Sequence, residues 1–159
     1  MDSNRFTKNS IQAITRAESV AAEYGNSQIE CVHLAYALLD ADGLIARILT
    51  RAGVDAQGLA SACKDEIVGL PKVYGSGAGN VYISGELNKV FTAAEKLAES
   101  MHDDYISVEH LFLALIDCED RRMQSLFRRF NVDKNAFLAQ LKKVRGNTSD
   151  KTDNPEDTY

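Results

Sequence analysis

Two histidines occupy matching places in a duplicated stretch, and their surroundings decide whether they can do chemistry. His33 lies in Ile29-Glu30-Cys31-Val32-His33-Leu34-Ala35-Tyr36-Ala37-Leu38-Leu39-Asp40. His110 lies 77 residues on, in Ile106-Ser107-Val108-Glu109-His110-Leu111-Phe112-Leu113-Ala114-Leu115-Ile116-Asp117. A metal ion would need further His, Cys or carboxylate ligands at helical spacing. Only Glu30 with His33 and Glu109 beside His110 offer themselves, and Ser107 stands in the second copy where Glu30 stands in the first. The pattern favours a half-buried imidazole hydrogen-bonded to backbone in each copy, and no metal site. Cys31 sits two residues before His33, which on a helix turns the pair to different faces, and nothing beside it would favour a thiolate. Cys63 and Cys118 read as packed small hydrophobes. The adjacent Asp103 and Asp104 precede Ser107, where acidic groups complement a helix N-terminus.

The remaining motifs are equally bland. Gly69-Leu70-Pro71-Lys72-Val73-Tyr74-Gly75-Ser76-Gly77-Ala78-Gly79-Asn80 is rich in glycine, but no strand alternation precedes it and no Gly-Lys-Ser/Thr follows. It reads as a flexible linker, not a phosphate cradle, so no nucleotide site is expected. Arg121, Arg122, Arg128 and Arg129 suggest a solvated helix face, and the formal net charge of −5 offers no nucleic-acid footprint. No active site emerges, and the chain reads as a binding module that is not itself an enzyme.

These residues are positioned by helices. Ser107 is a good N-cap, Glu109 suits the first turn, and the following residues are apolar on every face, so this helix must be covered on all sides. Its counterpart from Ile29 repeats Ile, His, Leu, Ala, Leu and Asp at matching places. Thr7 caps an earlier helix running to about Tyr24, with Ala13, Ile14, Ala17, Val20, Ala21 and Tyr24 inward. Adding 77 gives Val90, Phe91, Ala94, Leu97, Ala98 and Met101 on a helix capped by Ser84, with Leu87 where the first copy has Ser10. A third helix carries Leu44, Ile45, Ile48 and Leu49 in the first copy and Met123, Leu126, Phe127 and Phe130 in the second. Asp55 and Asp133 cap a fourth, lined by Leu59, Cys63 and Ile67 and by Phe137, Leu141 and Val144. The expected fold is all-α, eight helices in two pseudo-symmetric four-helix repeats.

Composition agrees with a soluble globular chain: of 159 residues 45% are hydrophobic and 26% charged, with two prolines and no tryptophan. No apolar run reaches the roughly 18 residues of a membrane span, and Met1-Asp2-Ser3-Asn4-Arg5 lacks a signal-peptide pattern. Three cysteines, an odd number with no close pairing in sequence, suit reduced thiols and a cytoplasmic setting. The expected divisions are repeat one over 1–70, a linker over 71–83, repeat two over 84–146, and a disordered tail over 147–159.

Two like bundles side by side leave a groove. Helix N-termini there would offer N–H donors framed by Thr7, Asp103, Ser107 and Glu109, with apolar side chains alongside, which suits an extended or helical hydrophobic peptide.

The doubled Ile-x-x-x-His-Leu-x-x-Ala-Leu-(Leu/Ile)-Asp, each copy preceded by an amphipathic helix, resembles the Clp repeat domain at the N-terminus of Clp-type AAA+ chaperones. The resemblance covers residues 1 to about 146. Leu70-Pro71-Lys72-Val73-Tyr74-Gly75-Ser76-Gly77 and then Val81-Tyr82-Ile83-Ser84-Gly85-Glu86-Leu87 look most like the ClpB disaggregase branch. The resemblance implies a domain tethered on a hexameric ATPase ring that helps capture unfolded or aggregated polypeptide. It places that role on Thr7, Asp103 and Glu109 and a hydrophobic patch around Phe91, His110 and Leu111, where His110 replaces the leucine of some members. ATP and Mg are implied only for AAA+ modules, since no Gly-x-x-x-x-Gly-Lys-(Ser/Thr) occurs in these residues. The family also implies cooperation with the DnaK chaperone system, no nucleic-acid or membrane partner, and a monomeric isolated domain. Alternatives are an adaptor-docking domain of a ClpC- or ClpA-type protease unfoldase, and a free-standing Clp-repeat regulator.

Overall fold

The computed structural model describes residues 3–74, 81–146 and 152–159. Repeat one contains α1 (Lys8–Glu23), α2 (Cys31–Leu38), α3 (Leu44–Arg51) and α4 (Ala56–Val68). Repeat two contains α5 (Gly85–Ser100), α6 (Val108–Ile116), α7 (Arg121–Arg129) and α8 (Lys134–Arg145). The caps fall where the residue types require them. The side chains of Thr7, Asp55, Ser84, Asp120 and Asp133 each accept the N–H three residues on, satisfying a donor that the first helical turn leaves over.

Helices α2 and α6 pack against each other at the centre, and the other contacts obey the pseudo-twofold: α1 meets α6 as α5 meets α2, and α3 meets α8 as α7 meets α4. Every residue of α6 from Val108 to Leu115 is buried. Phe112 stacks on Phe137 with centroids 5.3 Å apart and meets Phe127 edge-on at 5.5 Å.

Two short extended pairings, absent from the all-helical expectation, lock the repeats together. Strand β1 (Gln28–Ile29) pairs in parallel with β2 (Tyr82–Ile83), and Phe6 bridges in parallel to Ile106. The two are symmetry mates: the residue just before α1 or α5 in one copy pairs with the residue leading into α6 or α2 of the other. Thr7 N–H donates to Ile106 O and Ser84 N–H to Ile29 O, both at 3.1 Å. Ser10, the polar mismatch to Leu87, is buried because its hydroxyl donates to Ile106 O at 2.9 Å.

The linker assigned to 71–83 is described only at its ends, with 75–80 outside the described residues. Residues 147–151, where the tail begins, also lie outside them, and its described part runs over 152–159. Pro155–Thr158 form a 3-10 turn, and Glu156 is only 4% exposed. Beyond Pro155 and Tyr159 the tail has no apolar residues to bury, yet the Glu156 carboxylate finds N–H and hydroxyl donors at two helix N-termini, a polar source of order that composition does not register.

Candidate functional site

Helices α1 and α6 begin side by side because the Phe6–Ile106 bridge holds their approaches together. The Thr7 hydroxyl accepts the Ser10 N–H at 3.1 Å and donates to Glu156 Oε2 at 2.5 Å. The same carboxylate oxygen accepts the Val108 N–H, in the first turn of α6, at 3.1 Å. Away from this point runs a groove of about 460 Å³, walled by α1, the end of α2 and α3, with Ala13, Leu38, Leu44 and Ile45 among its apolar lining. Asn9, Gln12, Arg16, Asp40, Asp42 and Arg47 supply its polar lining, and Glu156, Asp157 and Tyr159 lie along it.

Beneath the start of α6 is a buried charged cluster. His110 Nδ1 accepts the Ser107 N–H at 2.9 Å, and Nε2 faces Asp103 Oδ2 at 2.8 Å. Arg145 from the last turn of α8 donates to Asp103 Oδ1 at 2.6 Å and lies 3.9 Å from Glu109 Oε2. Two carboxylates and a guanidinium out of water demand one another, since a buried ion is costly without a partner. The first repeat builds the same corner without charge. His33 Nδ1 accepts the Glu30 N–H at 2.8 Å, so Nε2 carries the proton and donates to Asn26 Oδ1 at 2.9 Å. Asn26 is the repeat mate of Asp103. Both imidazoles hydrogen-bond to backbone as expected, but they are wholly buried instead of half-buried.

Burial pushes the His33 pKa down to about 4, helped by the positive charge of Arg122. Burial raises Glu30, with Asp120 adding to the effect and Arg122 opposing it. Cys31 and Cys118, far apart in sequence, meet across the repeats. Their hydrogen bond, with burial second, raises the Cys31 thiol, while Cys118 is lowered chiefly by the same bond. Burial pushes Cys63 up to about 12, with Glu66 adding to it. Cys31 and Cys63 are therefore poor nucleophiles.

Ser107 Oγ lies 2.9 Å from His110 Nδ1, so serine, histidine and aspartate do stand in line. All three are buried and the ring nitrogen facing the serine is already engaged by the Ser107 N–H, which leaves no path for a substrate and no free base to activate the hydroxyl. Among the described residues no group of three or more His, Cys, Asp or Glu is placed to hold a metal ion.

The structure thus brings Asp103, Glu109 and His110 into one cluster and puts Thr7 behind Glu156, which lines the groove, while none of these four lines it directly. Phe91 packs edge-on against Phe6 with centroids 6.1 Å apart, and Leu111 belongs to the core. All six residues are buried, so no exposed patch forms from Phe91, His110 and Leu111. Sequence reasoning missed Arg145 and Glu156. A signal for the first existed: two acidic residues flanking an all-apolar helix call for a cation. Nothing local pointed to Glu156.

The Clp repeat (R) N-terminal domain family matches residues 5–130. The chain belongs to this family. Among relatives of this Clp repeat chain, the chaperone protein ClpB of Bacillus anthracis is 40% identical over all of this chain and 19% of its own length. Chaperone protein ClpB of Nitratidesulfovibrio vulgaris is 36% identical over the same shares. The chain therefore spans about a fifth of the length of the curated relatives it matches. Among solved structures, the Hsp104 N-terminal domain of Candida albicans superposes with a TM-score of 0.83 at 22% identity, covering 95% of this Clp repeat chain and 98% of the other. The N-terminal domain of ClpD from Arabidopsis thaliana gives 0.65 at 22% identity, covering 92% and 98%. At such identities these two attest the fold alone.

Proposed function

We propose that this chain is the substrate-engaging N-terminal domain of a ClpB-like ATP-dependent disaggregase, in which the groove between α1, α3 and the start of α6 holds exposed apolar segments of unfolded or aggregated proteins. The observation that carries this reading is the groove itself: Ala13, Leu38, Leu44 and Ile45 among polar neighbours, ending in helix N-termini from two repeats, with donors directed at whatever backbone or carboxylate lies there. Thr7 contacts the bound segment. Asp103 and Glu109 act by holding Arg145 over the Tyr159 ring, which lines the groove, and Phe91, His110 and Leu111 are the packed support behind the start of α6. ATP and Mg act in AAA+ modules, the ring is hexameric, clients are shared with the DnaK system in the cytoplasm, and the isolated domain is a monomer. Among the described residues no helix is long and apolar enough to cross a membrane.

The test is fluorescence anisotropy of labelled, unfolded casein titrated with wild type, Thr7→Val and Glu109→Gln. Weak binding is expected, reduced about tenfold in Thr7→Val, the scale of one lost hydrogen bond to a charged group. Wild-type affinity in both folded variants would show that casein binds elsewhere.

A further inference from the structure

The two repeats treat the starts of their central helices differently, and the difference points to a ligand. In repeat one the N-cap of α2 is Glu30, whose own carboxylate accepts the His33 N–H. In repeat two the matching residue is Ser107, whose side chain accepts the equivalent His110 N–H, and a carboxylate from residue 156 accepts the Val108 N–H two residues earlier. The head of α6 therefore carries an additional seat, filled by an acid from beyond its own repeat. Its donors are the Val108 N–H and the Thr7 hydroxyl, two helix N-termini converging on one oxygen, which is 3.1 Å from the first and 2.5 Å from the second.

Further contacts fix the direction of the segment that brings the acid. Lys8 N–H donates to Asp153 O at 2.7 Å, and Asn9 Nδ2 to Asp157 Oδ1 at 3.1 Å. Arg47 reaches Tyr159 O at 3.4 Å, and the Arg145 guanidinium lies 5.7 Å from the Tyr159 ring centroid. Main-chain bonds, one seated acid and one aromatic on a cation are the contacts by which a groove reads a peptide in trans.

We propose that the groove reads an acidic–aromatic segment through a glutamate seated on Thr7 and Val108 at its head, and that residues 152–159, which line one side of the groove, hold that seat in cis, so that a segment from another polypeptide must displace them. The inference rests on the groove reading above. A docked cis segment weakens the apparent affinity for any competitor by the fraction of time it leaves the groove open.

The experiment uses a fluorescent peptide carrying residues 152–159, titrated with the 159-residue chain and with its Glu156→Lys variant. The lysine places a cation against two positive helix ends, so the cis segment is released while the helices keep their contacts. The peptide is expected to bind the variant about tenfold or more tighter than wild type, and to lose that binding when its own Glu156 is replaced by Gln. Equal affinity for both proteins, binding to neither, or indifference to the Gln replacement overturns the proposal. Casein titrated in parallel separates the two readings. Peptide binding as described with no casein binding removes only the unfolded-client function, whereas casein binding with peptide failure removes only the seated-glutamate reading.

Discussion

His33 and His110 hold the same position in two copies of one motif and are set by different neighbours. With Nε2 donating to neutral Asn26, His33 gains nothing from a second proton, and burial holds its pKa at about 4. That lies below the roughly 6.5 of an unfolded histidine, so between the two values the unfolded chain binds the extra proton. The contribution is fully present above about pH 6.5 and falls as pH drops through 4, by about 3 kcal/mol in all. Urea midpoints measured across that window should decline for wild type and less steeply for His33→Gln. In repeat two the stakes are charges. Arg145→Met leaves Asp103 and Glu109 buried without their guanidinium and should cost about 3–5 kcal/mol in the same assay. A loss under 1 kcal/mol would mean that Arg145 is not the cation holding the cluster together.

At the scale of elements, each repeat stops its helices with left-handed residues at matching places. Gly25 follows α1 with φ +68° and His102 follows α5 with φ +60°; Gly53 follows α3 with φ +85° and Asn131 follows α7 with φ +57°. Gly53 has open space where a Cβ would go, so Gly53→Ala tests backbone conformation alone. The variant should lose about 1 kcal/mol, seen as a lower thermal midpoint with an unchanged helical signal. An unaltered midpoint would show that this turn relaxes without cost.

At the scale of the molecule, neither repeat can cover its own central helix. Phe112 in α6 is packed by Phe127 and Phe137 from its own repeat, and α5 of that repeat lies along the helix, while α1, α2 and α3 cover a further face from the other. Phe112→Ala should cost about 3–5 kcal/mol, and unfolding followed by far- and near-ultraviolet dichroism should remain one transition. Residues 1–74 expressed alone should show no cooperative unfolding, because α2 would expose the face that α6 covers. A stable, cooperative fragment would mean that the two repeats are independent domains.

Periodicity, caps and the internal repeat were enough to determine eight helices, their order, the pseudo-twofold and the two helices at the centre. These are local or self-referential signals: a stripe at helical spacing, a hydroxyl or acid before it, and a second copy against which to check both. They also brought Thr7, Asp103 and Glu109 forward as candidates, because capping types stand out near an all-apolar helix. The parallel pairings across the repeats, Arg145 completing the buried cluster, Cys31 meeting Cys118 and Glu156 seated at the head of α6 were decided only by the tertiary structure. Each joins residues far apart in sequence through one or two polar contacts, such as Thr7 with Glu156. Such contacts leave no periodic trace in the chain, and they depend on where helix ends come to lie once the core has packed.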